Sequence, residues 1–137
     1  MPQLTWSDSY SVGVEELDKQ HQGIINIINE LYQLYSEDNL QKSQLEEIFT
    51  KLIDYAEKHF KSEERYFELY AYPERDNHVK MHDSYNDKVN SLKEDYLKTN
   101  NKETLFAINN FLNEWWTWHI NNADKQYAKY FDESGLK

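Results

Sequence analysis

Four stretches of this chain space apolar residues three and four positions apart, and in each of them a histidine stands where an apolar residue belongs. That spacing lines one face of an α-helix. The first seam runs Leu17, Ile24, Ile28, Leu31, Tyr35, with His21 filling the missing step. The second runs Leu45, Phe49, Leu52, Ala56, His59, Glu63, Tyr66, Tyr70, and the third His78, His82, Tyr85, Val89, Leu92, Tyr96. The fourth begins Leu105, Ile108, Leu112, Trp115, His119 and then slips by one residue to Ile120, Asp124, Tyr127, Phe131. A chain with such seams must bury imidazoles together with its core.

Between the seams the pattern breaks at "SEDNLQ", "AYPERDN" and "KTNNKE", where Pro73 is tolerated near a first turn and Asn100 or Asn101 can cap. Gly135 lies where a helix would stop. With only three glycines and two prolines, the expectation is an all-α fold: one domain over 1–137, an arm over 1–16 and helices near 17–36, 42–70, 74–98 and 102–132. Short connections make this an up-down-up-down antiparallel four-helix bundle.

Twenty-five acidic residues against fifteen basic ones give a net charge of -10, which opposes nucleic acid and anionic membranes as partners. The absence of cysteine excludes disulfides, zinc ribbons, thiolate chemistry and cysteine-ligated iron–sulfur clusters. The N-terminus lacks the basic start and apolar run of a secretory signal, and no stretch has the apolar length to cross a bilayer, so a cytoplasmic location is expected.

His59 and Glu63 are four apart, as are His78 and His82, so each pair shares one helix face. Lys61, between two of these positions, is expected to face solvent. Taken alone, a seam histidine is more often a hydrogen-bonded core residue, and a single pair is weak evidence for metal. All five histidines on the seams of four helices is a different matter. Five imidazoles and two carboxylates, Glu63 and Asp124, are too many donors for one ion. Two ions sharing bridging carboxylates would use them all and offset the cost of burying two negative charges. Nitrogen and oxygen donors suit iron, manganese or zinc.

His119 and Asp124 pose a local problem. On an ideal helix they lie about 140° apart, at about 100° per residue. A π-bulge, which absorbs one extra residue, is expected between them, although a short Asp reaching in from the flank would serve too. Trp115, Trp116 and Trp118 cannot all face one way, so at least one belongs to the core and another is expected at the surface or in a subunit contact.

"WSDSYSVGVEELDKQHQ", "HFKSEERYF", "HVKMH" and "HINNADKQY" resemble, in order, the N-terminal arm with the first helix and the three other ligand segments of bacterial members of the hemerythrin family. The resemblance runs from about Trp6 to Tyr130. It implies two iron ions with an oxo or hydroxo bridge: His78, His82 and His119 on one, His21 and His59 on the other, Glu63 and Asp124 bridging. It further implies reversible dioxygen binding, for storage, delivery or buffering, as a hydroperoxide on the two-histidine iron, and no enzymatic turnover. Ile24, Ile25, Phe60 and Trp115 are candidates for the wall of the pocket. Two other readings stay open: a redox enzyme acting on peroxide, dioxygen or nitric oxide with an electron donor as partner, and an oxygen or iron sensor docking a client protein through exposed aromatics such as Tyr70 and Tyr72. Ferritin-like di-iron proteins rank lower, because they use more carboxylates and Glu-x-x-His pairs.

Overall fold

The seams become four helical limbs in a computed structural model that describes residues 4–36 and 42–135. Helix α1 spans Glu15–Ser36, α2 Lys42–Leu69 and α3 Arg75–Thr99. The fourth limb is α4, Lys102–His119, continued by a π-helical stretch, Ile120–Asp124, and by α5, Lys125–Glu133. Each limb packs beside the one before it, and the fourth closes on α1, which makes the four-helix bundle. The "SEDNLQ" break falls largely at 37–41, outside the described residues.

Local chemistry sets the boundaries. Glu15, Glu16 and Asp18 stand in the first turn of α1, where the helix dipole favours negative charge. Two adjacent asparagines divide the work at the α3–α4 corner. Asn100 adopts a left-handed conformation (φ 51°) and returns its N–H to the Tyr96 carbonyl, while the Asn101 side chain accepts the Thr104 N–H at 2.8 Å. Pro73 lies before α3, in the turn, and Gly135 follows α5 with φ 88°.

The core has two ends. One is mainly aliphatic, around Ile28, Leu31, Leu45, Leu52, Leu105 and Leu112. The other is mainly aromatic and draws in the N-terminal arm: Val12 and Val14 pack with Leu17, Phe67, Tyr72, Tyr127 and Phe131. The arm ends two residues earlier than its lack of period suggests, because α1 begins at Glu15. Asp18 accepts from the Val12 N–H at 2.8 Å and from the Ser11 hydroxyl at 2.6 Å, and the Lys125 ammonium donates to the Ser11 carbonyl. Farther up, Leu4 and the Asn29 side chain exchange two hydrogen bonds. Tyr70 and Tyr72, expected as exposed contacts, are drawn into this end instead. Tyr72 is buried, and Tyr70 is half-buried with its ring 5.6 Å from that of Phe131. Among the described residues no helix is long and apolar enough to cross a membrane.

Candidate metal centre

Between the two ends of the core, all four limbs send ionisable side chains to one point. Helix α1 supplies His21, α2 His59 and Glu63, α3 His78 and His82, and the fourth limb His119 and Asp124. All seven are buried. The π-helical stretch settles the phase problem: by absorbing one residue it turns both His119 and Asp124 inward, with His119 Nε2 3.1 Å from Asp124 Oδ1.

The two carboxylates lie across the cluster. Glu63 Oε2 is 3.4 Å from His59 Nε2 and 3.9 Å from His21 Nε2, while its Oε1 is 3.1 Å from His82 Nε2 and 3.7 Å from His78 Nε2. Asp124 repeats the division, with Oδ2 3.0 Å from His21 Nε2 and Oδ1 3.1 Å from those of His78 and His119. Donor atoms of Glu63, His78, His82 and His119 lie within 4.8 Å of one another, and so do those of His21, His59, Glu63 and Asp124. One side has three histidines and the other two.

Buried polar atoms ordinarily find hydrogen-bond partners. Here His21 Nε2, His59 Nε2, His82 Nε2, Glu63 Oε1 and both Asp124 oxygens have none, although they crowd together. Atoms this close and without hydrogen-bond geometry fit a shared cation on each side. Outer contacts prepare the rings for that role. Gln20 Oε1 lies 2.7 Å from His59 Nδ1, and the Gln20 amide nitrogen donates to Ser62 Oγ at 3.0 Å. Glu64 Oε2 lies 3.2 Å from His82 Nδ1. Both partners are acceptors, so each Nδ1 carries the proton and each Nε2 keeps its lone pair for a cation. The Tyr127 hydroxyl donates to Glu63 Oε2 at 2.5 Å.

Charge is balanced locally in the metal-free protein. Burial works to raise Glu63 and Asp124, and Glu63 repels Asp124 as well. Even so, the imidazoles, His59 foremost for Glu63 and His119 for Asp124, hold both carboxyls below the usual range. Burial pushes His59 down. It opposes charge on His78 and His82 too, but the adjacent Asp124 and Glu63 carboxylates carry His78 up to about 9, and Glu63 and Glu64 raise His82.

Of the suggested pocket residues, Phe60 lies flat on His82, ring centres 3.8 Å apart, and Trp115 lies on His119 at 4.2 Å. Phe60 is buried and Trp115 half-buried. Ile24 joins the aliphatic end of the core, whereas Ile25 is buried outside both clusters. Trp116 was not among the candidates, yet it is the fully buried tryptophan. Its ring centre lies 5.6 Å from that of Phe60 and 5.9 Å from that of His59, and its indole N–H donates to the Tyr85 hydroxyl at 3.1 Å. Position 116 is four after Leu112 and keeps the three-four spacing as well as 115 does, so that signal was available. Trp118 is the surface tryptophan, 57 % exposed. Gln20 and Glu64 were missed because each is an unremarkable neighbour of a ligand-type residue in the chain, and its partner lies on another helix.

The family model of the hemerythrin HHE cation binding domain matches residues 12–131. The chain belongs to the hemerythrin family. Among hemerythrins it is similar to the bacteriohemerythrin of Clostridium acetobutylicum, 27 % identical over 90 % of this chain and 98 % of the relative. It is also similar to that of Stenotrophomonas maltophilia, 27 % identical over 93 % of this chain and 81 % of the relative. A crystal structure of wild-type hemerythrin matches with a TM-score of 0.80 at 26 % identity, covering 93 % of this chain and 97 % of that one.

Proposed function

We propose that this protein binds dioxygen reversibly, for storage, delivery or buffering, at a pair of non-haem iron ions. His78, His82 and His119 would hold one ion, His21 and His59 the other, and Glu63 and Asp124 would span them. The observation that carries this reading is the division of donors. Each carboxylate turns one oxygen to a three-histidine side and the other to a two-histidine side. Iron is preferred among metals suited to nitrogen and oxygen donors because the chain is a hemerythrin. Two ferrous ions bound here would supply the electrons that dioxygen takes up on binding and returns on release.

The protein's own part is to orient and to exclude. Gln20, Glu64 and Tyr127 fix His59, His82 and Glu63. The unequal histidine sets make the two-histidine side the less crowded one, where a small ligand finds room. Phe60 and Trp116 line the ligand cluster with carbon and keep bulk water away. None of these groups has to give or take a proton.

The test is the absorption spectrum of anaerobically iron-loaded, reduced protein before air, in air and after the air is withdrawn. A charge-transfer band that appears and then disappears supports reversible binding. Direct passage to a stable oxidised spectrum would mean that oxygen is consumed, and would move a redox enzyme or an oxygen sensor ahead.

A further inference from the structure

The seven donors are sealed so tightly that how an ion reaches them becomes a question in its own right. The side chains of His21, His59, Glu63 and Asp124 are 0 % exposed. His78, at 4 %, is the most open of the seven, and it borders a cavity of about 370 Å³ lined by Tyr72, Glu74, Asn77, Met81 and Gln126. Cavities elsewhere on the described surface, beside Lys58, Trp118, Leu34 and Leu92, touch none of the seven.

We propose that this cavity is the inlet through which divalent cations load the centre, with the Glu74 carboxylate as the receiving group at its mouth. The proposal rests on the metal-centre reading above. No lysine or arginine lines the cavity, and the chain's net charge is -10. Glu74 makes the mouth negative, with His78 set at its inner end, and a negative mouth in such a field concentrates cations. Glu74 stands at the start of α3, where its charge offsets the positive helix end, and Asn77 Nδ2 donates to its Oε2 at 2.7 Å, leaving the other carboxylate oxygen for a cation. Behind it the donors continue inward: His78 Nε2 lies 3.1 Å from Asp124 Oδ1 and 3.7 Å from Glu63 Oε1, and both of those oxygens lack hydrogen-bond partners. The cavity adjoins the three-histidine side, so it is not the site at which a small ligand would join the two-histidine side.

Stopped-flow mixing of metal-free full-length protein with cobalt(II), followed by the cobalt absorption bands, tests this. Glu74→Gln should load about three- to tenfold more slowly at low ionic strength, and the difference should shrink as salt screens the carboxylate. Gln126→Trp, which fills the cavity, should slow loading further. Both variants should still bind two cobalt ions at equilibrium, and Glu57→Gln, beside a different cavity, should load at the parent rate. If both inlet variants load like the parent, the inlet is wrong. Should Gln126→Trp not fold, the salt dependence of Glu74→Gln decides alone. A parent protein that binds fewer than two cobalt ions would instead contradict the metal-centre reading.

Discussion

The two halves of this bundle are built on the same four seams and obey opposite rules. Around Leu31, Leu52 and Leu105 almost every inward side chain gains by leaving water, at about 1.5–3 kcal/mol for each fully buried large aliphatic group. Around Glu63 and Asp124 the inward side chains lose by leaving water and are held there together. Of nine buried polar or charged residues among those described, eight are Gln20 and the seven donors. The ninth, Asn109, sits in the aliphatic half, and its Nδ2 reaches the Ile28 carbonyl at 3.3 Å. The halves differ in purpose. One stabilises the bundle, and the other spends part of that stability to hold donors rigidly where a cation can use them.

Removing a carboxylate should break the second half most severely. Glu63→Ala deletes the group that spans both sides, so the iron-loaded variant should fail to retain a bridged pair, as metal analysis and the optical spectrum would report. Two irons retained in the parent geometry would overturn the ligand assignment. A cut in the first half should do the reverse. Leu31→Ala should cost about 2–5 kcal/mol in denaturant unfolding of the metal-free protein, while two metal ions still bind to whatever fraction is folded.

Proton competition should separate the halves more gently. With His78 raised to about 9 in the metal-free protein, its contribution to stability is complete below the ordinary histidine value near 6.5 and is lost as pH climbs through 9. Metal binding displaces that proton, so cobalt affinity should rise over the same interval in which metal-free stability falls. Calorimetry in buffers of different ionisation enthalpy should register proton release on loading at pH 7; no release would contradict the protonated His78. The smallest effect is expected at Lys61, which pairs with Glu57 at 2.9 Å on the solvent face of α2. Lys61→Gln should change stability by less than about 0.5 kcal/mol and leave metal content untouched, and a large loss of metal would mean the helix register is wrong.

The sequence carried the aliphatic half and the donor types plainly, because spacing alone decides which face of a helix is buried. It also carried the slip of the seam after His119, and the π-helical stretch is the physical answer. What stayed hidden depends on contacts across helices. The arm has no period, yet Val12 and Val14 are buried because Phe67, Tyr127 and Phe131 offer them a surface. Tyr72 looks like a loop aromatic until that same end closes over it. Trp115 and Trp116 satisfy one spacing equally, and only the neighbouring Tyr85 hydroxyl shows which indole lies inside.

On the proposed reading Glu63 and Asp124 would each span two metal ions. Crystals of the iron-loaded protein, measured at the iron absorption edge, test it directly. Two anomalous peaks per chain are predicted, one among His78, His82 and His119 and the other beside His21 and His59, with both carboxylates between them. A single peak in the cluster, or iron bound only elsewhere, would contradict a pair of ions shared by the two carboxylates.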